Sequence, residues 1–228
     1  MLPDLAPLGT ADVVAVGLLA LTFWLIGWIV EHPPEFRPSM SYLMADYRRE
    51  WMKQFVVRQQ RIFDGTVITS LRQATSFFIS GTMIAMGGGI ALIGNSDKLV
   101  LVAEDLTLTT DAAVIEIKVI VVLLFVANAF LKFIWSHRLF GYCAVLMASV
   151  PNEPTPAAYH RAAQAAEINV TGARSYNRGL RSVYFALAAL GWLLGPWSLL
   201  VTTVLTSAVL LRREFLSESR LVVMLPGP

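Results

Sequence analysis

The sequence contains one cysteine in 228 residues, Cys143, so no disulfide can close within a chain. It is also poor in charge: Asp, Glu, Lys and Arg make up 15%, against about 25% in a typical soluble domain. The net charge of +2 is too small for a nucleic-acid groove, which needs dense clusters of Lys and Arg. No GxSxG elbow, HExxH helix or Cys-His set occurs. Gly87-Gly88-Gly89 lacks the Lys-Ser/Thr that completes a phosphate loop. The histidines, His32, His137 and His160, have neither ligand spacing nor a neighbouring acid or cysteine cluster, which favours local bonding over a haem or metal pair. No cofactor, no metal and no nucleic acid is implied, and an enzyme is the least supported class.

Apolar runs are what the chain has in quantity. Hydrophobic residues reach 56% and the mean hydropathy is +0.60. A membrane-spanning helix needs about 20 mainly apolar residues, and four stretches qualify. The first covers 13–30, between Asp12 and Glu31, with Pro33-Pro34 beyond it. It lacks a preceding Lys or Arg and ends in Trp24 and Trp28, so it reads as a span and not as a secretory signal. The second covers 75–94 and carries Gly81, Ala85 and Gly89 at four-residue spacing, a pattern that lets membrane helices approach closely. The third covers 112–135 and continues as a helical extension to 150, before Pro151. The fourth covers 182–211 without a charge. Gly195-Pro196 divides it into halves each too short to cross, which predicts one long tilted or kinked helix. Gly191 and Gly195 add a GxxxG step. The expected fold is all-α: an integral membrane bundle of four transmembrane helices plus amphipathic cytoplasmic helices, in a single membrane domain.

Loop charge sets the expected orientation. Loop 31–74 carries Arg37, Arg48, Arg49, Lys53, Arg58, Arg61 and Arg72, and loop 136–181 carries Arg138, Arg161, Arg174, Arg178 and Arg181. Loop 95–111 has Lys98 against four acids. Both long basic loops are therefore expected in the cytoplasm, and both termini outside, in the plasma (inner) membrane. The tail resists this, because Arg212, Arg213 and Arg220 fall on the wrong side. Within the first loop, Met44, Tyr47, Trp51, Phe55 and Ile62 recur at helical spacing. They predict an amphipathic helix over 41–64, lying on an anionic leaflet or packed on the extension of the third span. The alanines of 156–170 predict a second. Asn169-Val170-Thr171 forms a glycosylation sequon, which reads as fortuitous on the cytoplasmic side.

Four stretches carry a family resemblance: Arg61-Ile62-Phe63-Asp64 with Ser76 to Ser80; Trp135-Ser136-His137-Arg138 through Tyr142; Asn177-Arg178-Gly179-Leu180-Arg181 with Tyr184 to Ala188; and Arg213-Glu214-Phe215 with Ser217. In this order they resemble the family catalogued as domain of unknown function 599. Gly141 stands where that family often has Asn. The resemblance implies a multi-pass membrane protein and supplies no activity and no catalytic residues.

Two polar sets and one set of small residues remain. Glu116, Asn128 and Lys132 fall in the third span. They read either as a cation path or, preferably, as interfacial anchors with Asn128 bonding between helices. Arg174, Arg178 and Arg181 precede the fourth span. They read as a lipid-phosphate or anion site, or as anchors paired with Asp64 or Glu167. The small residues Gly81, Ala85, Gly89, Gly191 and Gly195 read as helix-packing positions. The expected role is a non-catalytic structural or accessory membrane protein, a homo-oligomer or a subunit of a larger complex, in contact with anionic headgroups. The alternative is a homo-oligomeric channel or transporter for an ion or small solute.

Overall fold

The structure, a computed structural model, describes residues 8–95 and 112–225. The second loop lies outside these residues except for Asn95. Among the described residues the elements are all helical: α1 (Thr10–Glu31), α2 (Met40–Val57), α3 (Ile62–Ile93), α4 (Ala112–Ala148), α5 (Pro156–Leu190), a 3-10 turn (Gly191–Leu194), α6 (Pro196–Phe215) and α7 (Glu218–Val223). By length and composition α1, α3 and α4 can each cross a membrane. The first span, the second span and the extended third span thus fall within helices at the expected places.

The fourth span differs from the prediction. A single helix over 182–211 does not form. Gly195 has φ of 111°, a region that side chains with a Cβ rarely adopt, and Pro196 opens α6, where its missing N–H costs nothing. The chain therefore reverses. Thr202 Oγ1 donates to the Ala188 carbonyl at 2.8 Å, across fourteen residues that a straight helix would separate by about 21 Å. Arg213 reaches back to the Tyr184 hydroxyl. α5 and α6 form an antiparallel hairpin, and Arg220 and Val223 of α7 lie beside Pro38 and α2 instead of beside the start of α1.

The amphipathic helix is also shorter than predicted. Ser39 caps α2 by accepting from Tyr42 N (3.2 Å) and donates to the Val30 carbonyl (2.8 Å), which ties α2 to the end of α1. α2 stops at Val57 and Ile62 already belongs to α3. Arg61, between them, donates to the carbonyls of Val150 and Pro151, both at 2.8 Å. The buried face is Ala45, Met52, Phe55 and Val56, while Met44 and Tyr47 stay exposed. The covered face is the one that α2 turns toward α5, its main packing partner. The helix predicted over 156–170 likewise does not end there, and runs on to Leu190.

Two cores result, stacked along the bundle. One joins Met52, Phe55 and Val56 of α2 to Cys143 and Met147 of α4 and the alanines 158, 162, 165 and 166 of α5. Those alanines let α2 and α4 approach the α5 backbone closely. The other joins Ala15, Leu19 and Ile26 of α1 to Phe185, Ala189 and Trp192, and to Leu199 of α6. Phe23 meets Phe125 and Phe185 edge-on, each at 5.3 Å, a favourable geometry for aromatic rings.

A basic cavity at the shared end of the helices

The two ends of the bundle differ in chemistry. At one, Asp12 of α1 accepts from Trp192 Nε1 at 2.7 Å, and Lys118 of α4 lies 5.8 Å over the same indole. This end gathers the start of α1, the start of α4 and the hairpin turn. At the other end α1 and α6 finish, α2 lies across, and the arginines collect.

Glu31, the last residue of α1, organises that basic end. Arg178 grips its carboxylate with two N–H groups, Nε at 2.9 Å and Nη2 closer, and Arg181 adds a third contact at 3.1 Å. Two-pronged guanidinium–carboxylate bonds are directional as well as charged. They lock α1 to α5 at one register. Glu214, near the end of α6, accepts from Ser41 N (3.0 Å) and Ser41 Oγ (2.9 Å), and Asn177 donates to the same Oγ at 3.1 Å. Four helices thus meet around one polar knot.

Beside the knot lies a cavity of about 460 Å³. Its walls include Arg48 of α2, Arg174 and Arg181 of α5, and Tyr176, Asn177 and Ser41. The expected trio is therefore divided. Arg174 and Arg181 line the cavity, whereas Arg178 is committed to Glu31. The expected pairing with Asp64 or Glu167 does not occur for Arg178 or Arg181. Asp64 is fully buried and accepts from Trp51 Nε1 (2.6 Å) and Arg58. Glu167 pairs with Arg49 at 2.6 Å, and that guanidinium holds its carboxyl below the ordinary range.

Arg48 is the member that the sequence pattern did not single out. Its guanidinium donates to Asn169 Oδ1 and has no carboxylate partner among the described residues. Burial lowers its pKa, the expected response of a cation removed from water. Asn169 is fully buried and also donates to Cys143 Sγ at 3.5 Å, so the sequon asparagine is a packing residue here. The predicted apolar stripe left Arg48 out, whereas the face that α2 buries, with Ala45 and Met52, brings it inward.

The remaining expected positions resolve individually. Asn128 donates to Ser182 Oγ at 2.7 Å, bonding α4 to α5. Lys132 is half-buried, and its carbonyl accepts from Ser175 Oγ at 2.9 Å. Glu116 sits one turn from the start of α4 and is half-buried. On α3, Gly89 packs against Leu123, while Gly81 meets nothing within 4 Å and Ala85 is exposed. The predicted small-residue row therefore divides between a covered and an open face. A Cβ on Gly191 would stand 2.5 Å from Thr202 Oγ1, so Gly191 packs within the hairpin, and Gly195 makes its turn. Close approaches not anticipated are Gly179 against the Phe133 ring and Gly172 against Phe140.

His137 bonds Thr75 Oγ1 at 3.0 Å and faces Arg72 at 3.4 Å, while His32 contacts the Trp28 carbonyl of its own helix. Among the described residues no three His, Cys, Asp or Glu side chains gather as metal ligands.

The four stretches behind the family resemblance converge on this end: Asp64 and Arg61 at the α2–α3 junction, His137 against α3, Arg178 on Glu31, and Glu214 on Ser41. No curated protein and no solved structure matches the chain. The family model described as "Protein of unknown function, DUF599" matches residues 14–219, and the chain belongs to that family.

Proposed function

We propose that the protein crosses the membrane five times, with the basic end in the cytoplasm, and serves there as a non-catalytic structural or accessory subunit. The observation that carries this reading is the hairpin at Gly195. It returns Arg212, Arg213 and Arg220 to the end that holds the arginines of both long loops, so the tail that conflicts with an even number of crossings agrees with an odd one. Arg220 donates to the Pro38 carbonyl at 2.8 Å, and Tyr47 reaches the Val223 carbonyl. α6 has 20 residues, about 30 Å of helix, which matches the hydrocarbon thickness. The outgoing half, from Arg178 to Leu194, is shorter. Its arginines extend toward the interface, and the exposed Trp197 stands at the far end, where indoles favour headgroups.

The accessory role draws support from how the polar groups are spent, since Glu31, Asp64, Asn128 and Glu214 each join one helix to another. α3 packs chiefly on α4 and leaves most of its apolar stretch uncovered, which suits a second copy or a partner subunit in the membrane.

Cysteine labelling tests the topology. In a Cys143→Ala background, Leu194→Cys reacts with a membrane-impermeant maleimide on intact cells, and Ser219→Cys reacts only after permeabilisation. Labelling of Ser219→Cys from outside would restore four crossings. Copurification with a fixed partner, without ion flux in liposomes, supports the accessory role. Flux that disappears in Asn128→Leu would replace it with a channel.

A further inference from the structure

The polar knot uses its acids and leaves cations over. Of the carboxylates lining the cavity, Glu31 is occupied by Arg178 and Arg181, and Glu214 by Ser41. Arg49 is likewise neutralised, by Asp46 and Glu167. Arg48 has an amide oxygen and no carboxylate, and Arg174 makes no hydrogen bond among the described residues, its charge acting only at a distance on the Glu167 carboxyl that Arg49 already holds. Arg181 Nε is buried without a hydrogen-bond partner, although the side chain is only 12% exposed. The Tyr176 hydroxyl, at the same wall, also has no hydrogen bond among the described residues. Gathering guanidinium groups in a partly enclosed space is costly unless an anion joins them.

We propose that this cavity binds a phosphate group, held by Arg48 and Arg174 with Arg181 and the Tyr176 hydroxyl as further donors. Guanidinium forks match the oxygens of phosphate in pairs, which a single ammonium does not. The volume of about 460 Å³ exceeds what bare phosphate fills and falls within the range of about 300–1,000 Å³ usual for small-ligand pockets. The cavity lies where α1 ends at Glu31 and α6 ends near Glu214, the level of the headgroups if these helices span the bilayer. Val30, Leu71 and Phe140 add apolar wall, suited to the glycerol and upper acyl part of a phospholipid. A lipid headgroup and a soluble phosphate share the recognised chemistry. The inference rests on the cavity and stands whichever way the tail faces.

The test uses the full chain in uncharged detergent, titrated with inorganic phosphate and, separately, with short-chain phosphatidic acid, and followed by calorimetry. Saturable binding is expected. Arg174→Gln weakens it at least tenfold and leaves the ligand-free unfolding midpoint unchanged, because that side chain is exposed and makes no hydrogen bond among the described residues. Arg212→Gln, an exposed tail cation outside the cavity, leaves affinity unchanged. Binding of phosphatidic acid alone identifies a lipid source, and binding of inorganic phosphate that competes with it identifies a soluble one. Saturable binding of neither, or equal weakening by Arg212→Gln and Arg174→Gln, would overturn the proposal, the second by assigning the effect to diffuse surface charge.

Discussion

Glu31 carries more structure than its position in the sequence announces. Replacing it by Gln leaves Arg178 and Arg181 facing each other without a negative charge, and Arg181 is the more buried of the two. Because hydrogen bonds to charged groups contribute about 1.5–3 kcal/mol each, Glu31→Gln is expected to cost about 2–3 kcal/mol and lower the unfolding midpoint in detergent. Arg178→Gln costs less, since Arg181 still holds the carboxylate. An equal effect from both would show that the loss is not one of unpaired cations. Glu167 is the exposed counterpart. Its carboxyl is held below the ordinary value by Arg49, so its contribution is complete above the unfolded pKa of about 4.3 and disappears as pH falls through the lower folded value. Glu167→Gln is expected to destabilise by less than about 1 kcal/mol near neutral pH, and the gap from wild type closes toward pH 3. A gap that widens on acidification would contradict the pairing.

The α5–α6 hairpin depends on two glycines for different reasons. Gly195 needs its positive φ, and a Cβ there would meet nothing within 4 Å, so Gly195→Ala tests conformation alone at about 1–2 kcal/mol. Gly191 needs space. Gly191→Ala pushes a methyl into Thr202 and is expected to cost about 1–3 kcal/mol as overpacking. Thr202→Ala removes both close side-chain atoms, so the double variant recovers part of that loss. Simple additivity in a double-mutant cycle would mean that these residues do not touch. Legibility at this scale was uneven. The long helices α1, α3 and α4 follow from uninterrupted apolar runs and their bounding charges. The hairpin did not follow, because an apolar stretch of thirty residues has the same composition whether it is straight or doubled.

At the scale of the molecule, the hairpin converts an even number of proposed crossings into an odd one and gathers positive charge at one end. Tail accessibility, argued above from Arg220 and Tyr47, is the measurement on which that arrangement turns. The basic end is layered. α1 and α6 finish at the polar knot, and α2, the α4 extension and the first half of α5 form a second core beyond it. The Arg174–Arg178–Arg181 cluster was visible as a run at helical spacing. Its division between a structural pair and a cavity was not, since the deciding partners Glu31, Arg48 and Glu214 are distant in the chain.

The sequence by itself determined the all-α class, the apolar helices suited to a membrane and the family, because hydropathy runs and local motifs act over neighbouring residues. Tertiary structure alone decided that the last apolar stretch folds back at Gly195, that Glu31 takes Arg178 and Arg181, and that Arg48 joins Arg174 at one cavity. The physical reason is common to all three. Each depends on contacts between segments brought together only when helices pack, where the geometry of backbone reversal and the need to pair buried charge select among arrangements that composition leaves equal.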